Sequence, residues 1–208
     1  MYVFSRSTIA ALGKQFDALP AAVSMAERVS GIIGIDVSVF TTRFGGPLGT
    51  VTWTMLVDSM EQVQANTDKL MADAGYVEAL DGMNGLFMAP AEDTLGRFVT
   101  PPIDAVTSRF YGITRASMAD GQFGPAVEFG VKMADYLAKA QNTQASFVKA
   151  GYGGFADVAW IIAFDSAADV DAFDNFQMSD PGYHALVDGA AGLFAPNSGH
   201  TSLVEKLN

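Results

Sequence analysis

The chain has 208 residues, half of them hydrophobic and only 17% charged, with a net charge of −11 and no cysteine. The acidic balance argues against nucleic acid and anionic membrane as partners, and the lack of cysteine excludes disulfides, thiolate catalysis and thiolate metal ligands. No apolar run reaches the roughly 18 residues that a membrane helix needs, so we expect no membrane span and a cytoplasmic location.

The predicted elements of the first half are a strand, a helix, two strands, a helical region and a strand. YVFSRSTI predicts the first strand, and LPAAVSMAERVSGIIG, with Pro20 near its start, predicts the first helix. IDVSVFTTRF and TVTWTMLVD predict two strands joined by the hairpin loop GGPLG. Asp58-Ser59 is typical of a helix N-cap, and a last strand is expected around Thr94–Thr100.

The second half predicts the same order of elements. AVTSRFYGI, TQASFVKAGY and DVAWIIAFD predict strands, and GPAVEFGVKMADYLAKAQ predicts the first helix. The hairpin KAGYGGFAD is expected to be longer than its counterpart in the first half. Asp165-Ser166 is the expected N-cap of the second helical region, and Pro181 predicts a break in that region into two shorter helices. The last strand is expected around Ser202–Leu207.

The two halves are copies of each other. DAGYVEALDGMNGLFMAP in the first half corresponds to DPGYHALVDGAAGLFAP in the second, and Trp53 aligns with Trp160. Near the start of each half, Ser5-Arg6 aligns with Ser108-Arg109. A period this long indicates a duplicated domain rather than a solenoid repeat. We therefore expect two repeats, residues 1–100 and 101–208, joined by the linker TPPID at Thr100–Asp104.

The order of elements is the βαββαβ unit of the ferredoxin-like fold. With the motif D…F…DP.Y..L…G..LF in the second helical region, the chain resembles the dimeric α/β-barrel superfamily. That superfamily includes antibiotic-biosynthesis monooxygenases, NIPSNAP proteins, EthD-like proteins and stress-responsive A/B-barrel proteins. The resemblance implies an α+β fold in which two ferredoxin-like units pack their antiparallel sheets into one α/β barrel. Each sheet has an apolar face that needs a partner, and the second copy supplies that partner within the chain.

Two pairs of residues and one histidine are candidates for a site. Arg6 and Arg109 lie among apolar neighbours, so each is expected to reach either a carboxylate, as a structural ion pair, or the barrel mouth, as an anchor for an anion or carbonyl. Trp53 and Trp160 are either core residues or a stacking wall for a flat ligand. His184 is either an exposed polar residue or a titrating group of the site.

The second copy is the expected location of any ligand site. It carries both histidines and additional aromatic residues, whereas the alternative explanation of this asymmetry is neutral drift. Arg109, Tyr111 and Trp160 are the predicted walls, and Arg109 and His184 are the predicted catalytic residues. Two histidines without cysteine do not predict a transition-metal site.

Three functions remain open from the sequence. The first is a small-molecule enzyme acting on a hydrophobic or aromatic substrate, for which the resemblance implies oxygenation without a cofactor. The second is a structural or binding protein with a packed barrel. The third is a haem protein, because the resemblance implies that a single axial histidine such as His184 suffices. The few charges also predict a homodimer or larger homo-oligomer, formed through an apolar patch on the helices.

Overall fold

A computed structural model describes residues 1–103 and 108–208, which form six helices and eight strands among the described residues. Both halves have the order strand, helix, strand, strand, two helices, strand. The elements of the first half are β1 (Tyr2–Ala10), α1 (Gln15–Ile33), β2 (Ser38–Phe44), β3 (Thr50–Val57), α2 (Met60–Ala72), α3 (Ala74–Gly82) and β4 (Phe87–Phe98). Those of the second half are β5 (Phe110–Ser117), α4 (Phe123–Gln141), β6 (Ala145–Tyr152), β7 (Asp157–Phe164), α5 (Ala167–Ser179), α6 (Pro181–Gly189) and β8 (His200–Lys206).

Hydrogen bonds join the strands in the order β1-β3-β2-β8-β5-β7-β6-β4, which closes as a barrel. In the first half β1 and β2 pair antiparallel on either side of β3, and in the second half β5 and β6 pair antiparallel on either side of β7. The predicted fold class, tandem ferredoxin-like units forming an α/β barrel, is therefore confirmed. Within the described part of the chain, no helix has the length and apolarity to cross a membrane.

The chain divides into two compact units. The first comprises residues 1–95 and 205–208, and the second comprises residues 96–204. The predicted boundary between residues 100 and 101 stays a prediction. Of the predicted linker, Asp104 lies outside the described residues, as do the first three residues of the predicted strand AVTSRFYGI. Thr100 and Pro101 bond to β6: the Phe147 amide donates to Thr100 Oγ1 (2.7 Å), and Ser146 Oγ donates to the Pro101 carbonyl (2.5 Å).

In the first unit, one face of the sheet packs against the helices. Val51, Trp53 and Met55 of β3 belong to a cluster with Ala22 and Ala26 of α1, as strand alternation predicts. Asn208 is hydrogen-bonded to the start of β2. Its Oδ1 accepts from the Val39 amide (2.8 Å), and its Nδ2 donates to the Val37 carbonyl (2.9 Å).

In the second unit, the corresponding layer is filled with aromatic rings. Val158, Trp160, Ile162 and Phe164 of β7 share a buried cluster with the inner face of α4. The rings of Phe129, Phe147 and Phe194 lie 5.2–6.1 Å from the Trp160 ring, centroid to centroid. Phe147 is fully buried and lies directly against the backbone of Gly130, where no other residue type leaves enough space.

Helix starts follow capping chemistry closely. Ser59 and Ser166 accept from the backbone amides of Gln62 and Asp169, as the two predicted N-caps require. The break expected at Pro181 is present, but the first copy has the same break without proline. There Asp73 accepts from the Tyr76 amide and so caps a new helix, as Asp180 does for Tyr183.

Three boundaries differ from the sequence-based expectation. Helix α1 begins at Gln15, so Pro20 lies inside the helix instead of in its first turn. Strand β4 begins at Phe87, before Pro90, and its Met88 carbonyl accepts from Thr8 Oγ1 of β1 (2.7 Å). The second hairpin is shorter, since residues 153–156 join β6 to β7 whereas residues 45–49 join β2 to β3.

Candidate functional site

A charged pair stands on the helix-facing side of the first unit's sheet. Arg6 lies opposite Trp53 in the β1–β3 register, and Trp53 belongs to the helix-facing cluster. The Arg6 guanidinium donates through Nε and Nη2 to the two carboxylate oxygens of Asp93 in β4, at 2.7 Å each. Such a two-pronged pair fixes the guanidinium plane and uses two of its five N–H donors. Of the two alternatives expected for Arg6, a carboxylate in an ion pair or the barrel mouth, the structure shows the carboxylate, and the predicted site role of Arg6 stays a prediction.

This pair is half exposed, so one side of the guanidinium remains reachable. Both side chains keep 45% of their surface accessible. The pKa of Arg6 is raised above its ordinary value, chiefly by the hydrogen bond to Asp93 and also by the charge of Asp93 and by Tyr76, against the effect of desolvation. Arg6 is thus a permanent cation beside an aromatic side chain: Phe4 has its ring centre 5.9 Å from the guanidinium carbon.

Trp53 forms the neighbouring wall of this layer. Its indole Nε1 donates to the Ala22 carbonyl of α1 (2.9 Å), and its ring meets Phe87 edge-on at 5.6 Å. The anchored indole holds one orientation, and the side chain keeps partial exposure. The structure therefore brings together two predicted site residues, Arg6 and Trp53. Chemically, the arrangement offers a cation, a carboxylate and aromatic faces to a flat molecule with an oxygen function.

The alignment of Arg6 with Arg109 is wrong. Trp53 and Trp160 are equivalent, because each donates its indole N–H to a carbonyl of the helix above. In the register, Arg6 lies opposite Trp53, and Thr114 lies opposite Trp160. Thr114 is thus the counterpart of Arg6, and its hydroxyl bonds to that of Thr201 (3.0 Å).

Arg109 lies in a bend before β5, not within a first strand. Its side chain is exposed, its guanidinium carbon lies 5.2 Å from the Phe110 ring centre, and its amide donates to the Phe164 carbonyl. The expectation that Arg109 lies among apolar residues of a strand is therefore wrong. Its predicted catalytic role stays a prediction.

Trp160 and Tyr111 lie on opposite faces of the second unit's sheet. Trp160 is 8% exposed, and its indole N–H donates to the Gly130 carbonyl (3.0 Å), which favours the core-packing interpretation. Tyr111 is three residues from Thr114 and so faces away from the helices. It is buried, and its hydroxyl donates to the Ser108 carbonyl (3.2 Å). These two residues do not line one pocket.

His184 lies apart from all of these residues, on the exposed surface of α6. Its Nε2 bonds to the Gln177 carbonyl (2.9 Å), and since a carbonyl only accepts, this nitrogen carries a proton. An axial haem ligand needs a free ring nitrogen in an apolar pocket, so the surroundings of His184 do not fit haem. The predicted set of Arg109, Tyr111, Trp160 and His184 is not brought together.

Asp93 and Tyr76, two neighbours of the Arg6 guanidinium, are not predicted from the sequence. Asp93 is 87 positions from Arg6 along the chain, and it lies in a segment whose strand was predicted to begin one residue later. Tyr76 is repeated as Tyr183, which suggested only a structural motif. The one signal that could have identified Asp93 was the ferredoxin-like strand order, which places β4 beside β1 and its Arg6.

Two open grooves run along the outer helices. One, of 370 Å³, lies along α1 in the first unit and includes Leu19, Val23 and Leu207. The other, of 810 Å³, lies along α4 in the second unit and includes Val131, Tyr136 and Leu186. Neither contains a residue predicted from the sequence for the site.

The fold is similar to those of several solved structures over the whole chain. A candidate monooxygenase of Fusobacterium nucleatum matches with a TM-score of 0.73 at 8% identity, covering 100% of this chain and 92% of the other. An anthrone oxidase-like protein matches with a TM-score of 0.68 at 13% identity, covering 100% and 91%. A candidate monooxygenase of Lactobacillus acidophilus matches with a TM-score of 0.65 at 8% identity, covering 99% and 93%.

No protein-family model matches the sequence, and no curated protein matches it either. At sequence identities this low, the structural similarities establish the fold alone. Together with the strand order, they show that this chain has the tandem-duplicated, ferredoxin-like α/β-barrel fold that candidate monooxygenases also have.

Proposed function

We propose that the protein binds a flat hydrophobic molecule between the sheet and the helices of its first unit and oxidises it with O₂ without a resident cofactor. The observation that carries this proposal is the Arg6–Asp93 pair beside Trp53, next to the apolar cluster that the sheet forms with α1. The second unit has Thr114 and Thr201 at the corresponding place. A purely structural pair would be needed in both copies, whereas a site needs it in one.

The pair suits a phenol or enol hydroxyl group. The hydroxyl donates a hydrogen bond to the Asp93 carboxylate, and its proton leaves to solvent water at this half-exposed pair. The oxygen anion that forms accepts a charge-assisted hydrogen bond from an N–H of Arg6 that Asp93 does not use. An electron-rich enolate is itself the reductant of O₂. In the overall reaction a CH₂ group next to an aromatic ring becomes a carbonyl, and one O₂ supplies that oxygen and is otherwise reduced to one water.

Whole-chain similarity to two candidate monooxygenases and an anthrone oxidase-like protein supports this class of reaction. We choose anthrone as the probe, because it is a tricyclic ketone with an enol tautomer and an activated CH₂ group. The alternative of a binding protein without turnover predicts that anthrone binds but that no O₂ is consumed.

The two tryptophans assign the binding to a unit, since each unit contains one. In the Trp160→Phe variant only Trp53 fluoresces, and we expect anthrone to quench it. In the Trp53→Phe variant only Trp160 remains, and we expect little quenching. Quenching confined to Trp160 would place the ligand in the second unit and overturn the proposal.

The charged pair is tested by Arg6→Gln, with Thr114→Ala as the matched control in the second unit. Losing a charged hydrogen-bond donor costs about 1.5–3 kcal/mol, so Arg6→Gln is expected to weaken binding about tenfold or more and to abolish O₂ uptake. Circular dichroism checks that the variant folds. The double variant Arg6→Met with Asp93→Leu keeps the layer packed without leaving either charge unpaired, and it should show the same loss.

A further inference from the structure

The side chain of Asn66 is buried with an unpaired donor. Asn66 lies in the middle of α2, is 3% exposed, and its Nδ2 has no hydrogen-bond partner among the described residues. Buried amide donors almost always have an acceptor, because a buried donor without one costs about as much free energy as a lost hydrogen bond. Leu70, one turn later on the same helical face, packs against the cluster that contains Trp53 and Met55. Asn66 therefore faces the same layer as the Arg6–Asp93 pair.

In the second unit, the position that corresponds to Asn66 holds an aromatic residue. Helices α2 and α5 both have 13 residues after equivalent serine caps, so Asn66 corresponds to Phe173. Phe173 packs on Phe164, with ring centres 5.3 Å apart. The counterpart of Phe164 in the first unit is Val57, the last residue of β3, in the same register position.

The first unit is one ring short at this level of the sheet. Two phenylalanines of the second unit are replaced by Val57 and Asn66. One ring is regained, since Phe4 takes the place of Gly112, against which the Phe164 ring lies. The remaining deficit of one ring coincides with the unpaired Asn66 donor.

We infer that the ligand itself supplies the missing ring and offers an oxygen acceptor to Asn66 Nδ2. This inference rests on the proposed function and specifies its substrate class. Val57 pairs with Tyr2, and Arg6 lies four residues further along β1, which is about 13 Å at the rise of a strand. The ligand is therefore an elongated, flat, apolar molecule with a hydroxyl group at one end and a carbonyl or ether oxygen at the other.

A water molecule is a poorer partner for this donor. A buried water needs two to four polar partners, whereas Val57 lies at this level of the sheet and Val63 and Leu70 share the inner face of α2 with Asn66. An oxygen acceptor carried by an apolar ring would satisfy the Asn66 amide without needing these further polar partners.

The experiment compares two probes that differ only at the far end. The first, 6-acetyl-2-naphthol, carries a hydroxyl group and a distant carbonyl. The second, 6-isopropyl-2-naphthol, has the same length and shape without the carbonyl. We expect the wild-type protein to bind the acetyl compound about tenfold more tightly, as one hydrogen bond to a buried donor implies.

Asn66→Leu tests the residue itself, because leucine has nearly the shape of asparagine but no donor. We expect this variant to lose the preference for the acetyl compound while its melting temperature stays the same or rises. Phe173→Leu in the second unit is the matched control, and it should keep the preference. A wild-type protein that binds both probes equally, or an Asn66→Leu variant that keeps the preference, would overturn the inference and leave the proposed function standing. If neither probe binds, the inference is overturned, and anthrone quenching of Trp53 decides separately whether the proposed function stands.

Discussion

At one contact between helix and strand, the two copies differ in both residues, and the two differences in side-chain volume compensate each other. In the second unit, Gly130 of α4 makes room for the Phe147 ring of β6. The corresponding residues of the first unit are Ala22 of α1 and Val39 of β2, both fully buried. A methyl group added to the helix has been matched by a smaller side chain on the strand. Close packing makes such compensation necessary, because neither site has space to spare.

A double-mutant cycle tests this pairing. Gly130→Ala gains up to about 1 kcal/mol of helix propensity but overpacks the core, which costs about 1–3 kcal/mol, so we expect net destabilisation in urea unfolding. Phe147→Val alone should cost at least about 2 kcal/mol through the cavity it leaves. The double variant, which copies Ala22 and Val39, should be more stable than the sum of both changes predicts, by about 1 kcal/mol or more. Strictly additive effects would show that the two residues do not share one space.

At the scale of elements, the short helix α6 is held by one carboxylate. Asp180 accepts from the Tyr183 amide (2.7 Å) and from the Tyr136 hydroxyl of α4. The pKa of Asp180 is lowered, first by the bond from Tyr136 and then by the backbone amides of Tyr183 and Gly182. The same contact raises the pKa of Tyr136, so its phenol stays protonated and remains the donor.

The lowered pKa gives a stability that depends on pH. A carboxyl group with a lowered folded-state pKa stabilises the protein above its ordinary value, about 3.9 for aspartate, and this contribution is lost as the pH falls through the folded-state value. We expect Asp180→Asn, which keeps an N-capping side chain, to lower the urea midpoint at neutral pH and to match the wild type in strong acid. Asp188→Asn, at an exposed position of the same helix, is the control and should follow the wild-type curve. A constant offset at all pH values would mean that the charge of Asp180 is not involved.

Element types and faces could be predicted from the sequence, because strand alternation and helix caps are local signals. Val158, Trp160, Ile162 and Phe164 face the helices as their spacing predicts. The partner of Arg6 could not be identified, since the pairing of β1 with β4 joins residues far apart in the chain. The match of Ser5-Arg6 to Ser108-Arg109 is a coincidence of residue types, because the strand register pairs Arg6 with Thr114 as equivalent positions. The charged pair that the structure forms lies in the first copy, whereas the sequence placed the expected site in the second, and that location stays a prediction.

For the whole molecule, the first unit carries an apolar end that a monomer would expose to water. Leu12, Phe16, Phe44 and Leu48 are 95%, 94%, 72% and 84% exposed. They are neighbours, because Phe44 is the last residue of β2 and Leu48 lies in the hairpin loop that follows it. The Gly49 carbonyl of that loop accepts from the Ala10 amide, two residues before Leu12. In the second unit Asp120 and Gly124 take the places of Leu12 and Phe16. We call the first set the apolar end, and its location at a hairpin differs from the helical patch expected from the sequence.

The apolar end leads us to expect a homodimer. An aromatic side chain buries about 150–250 Å², so two phenylalanines and two leucines account for much of the roughly 800 Å² that each partner contributes to a standard interface. Light scattering at micromolar concentration should give twice the chain mass of 22.0 kDa. Phe16→Asp with Leu48→Asp should give the monomer mass with an unchanged circular dichroism spectrum, because these exposed side chains add little to the folded monomer and a buried carboxylate is costly. Phe155→Asp, at the exposed hairpin tip of the second unit, is the matched control and should leave the dimer intact. A wild-type protein of 22.0 kDa, or a dimer that survives both aspartates, would show that the apolar end is not the contact between copies.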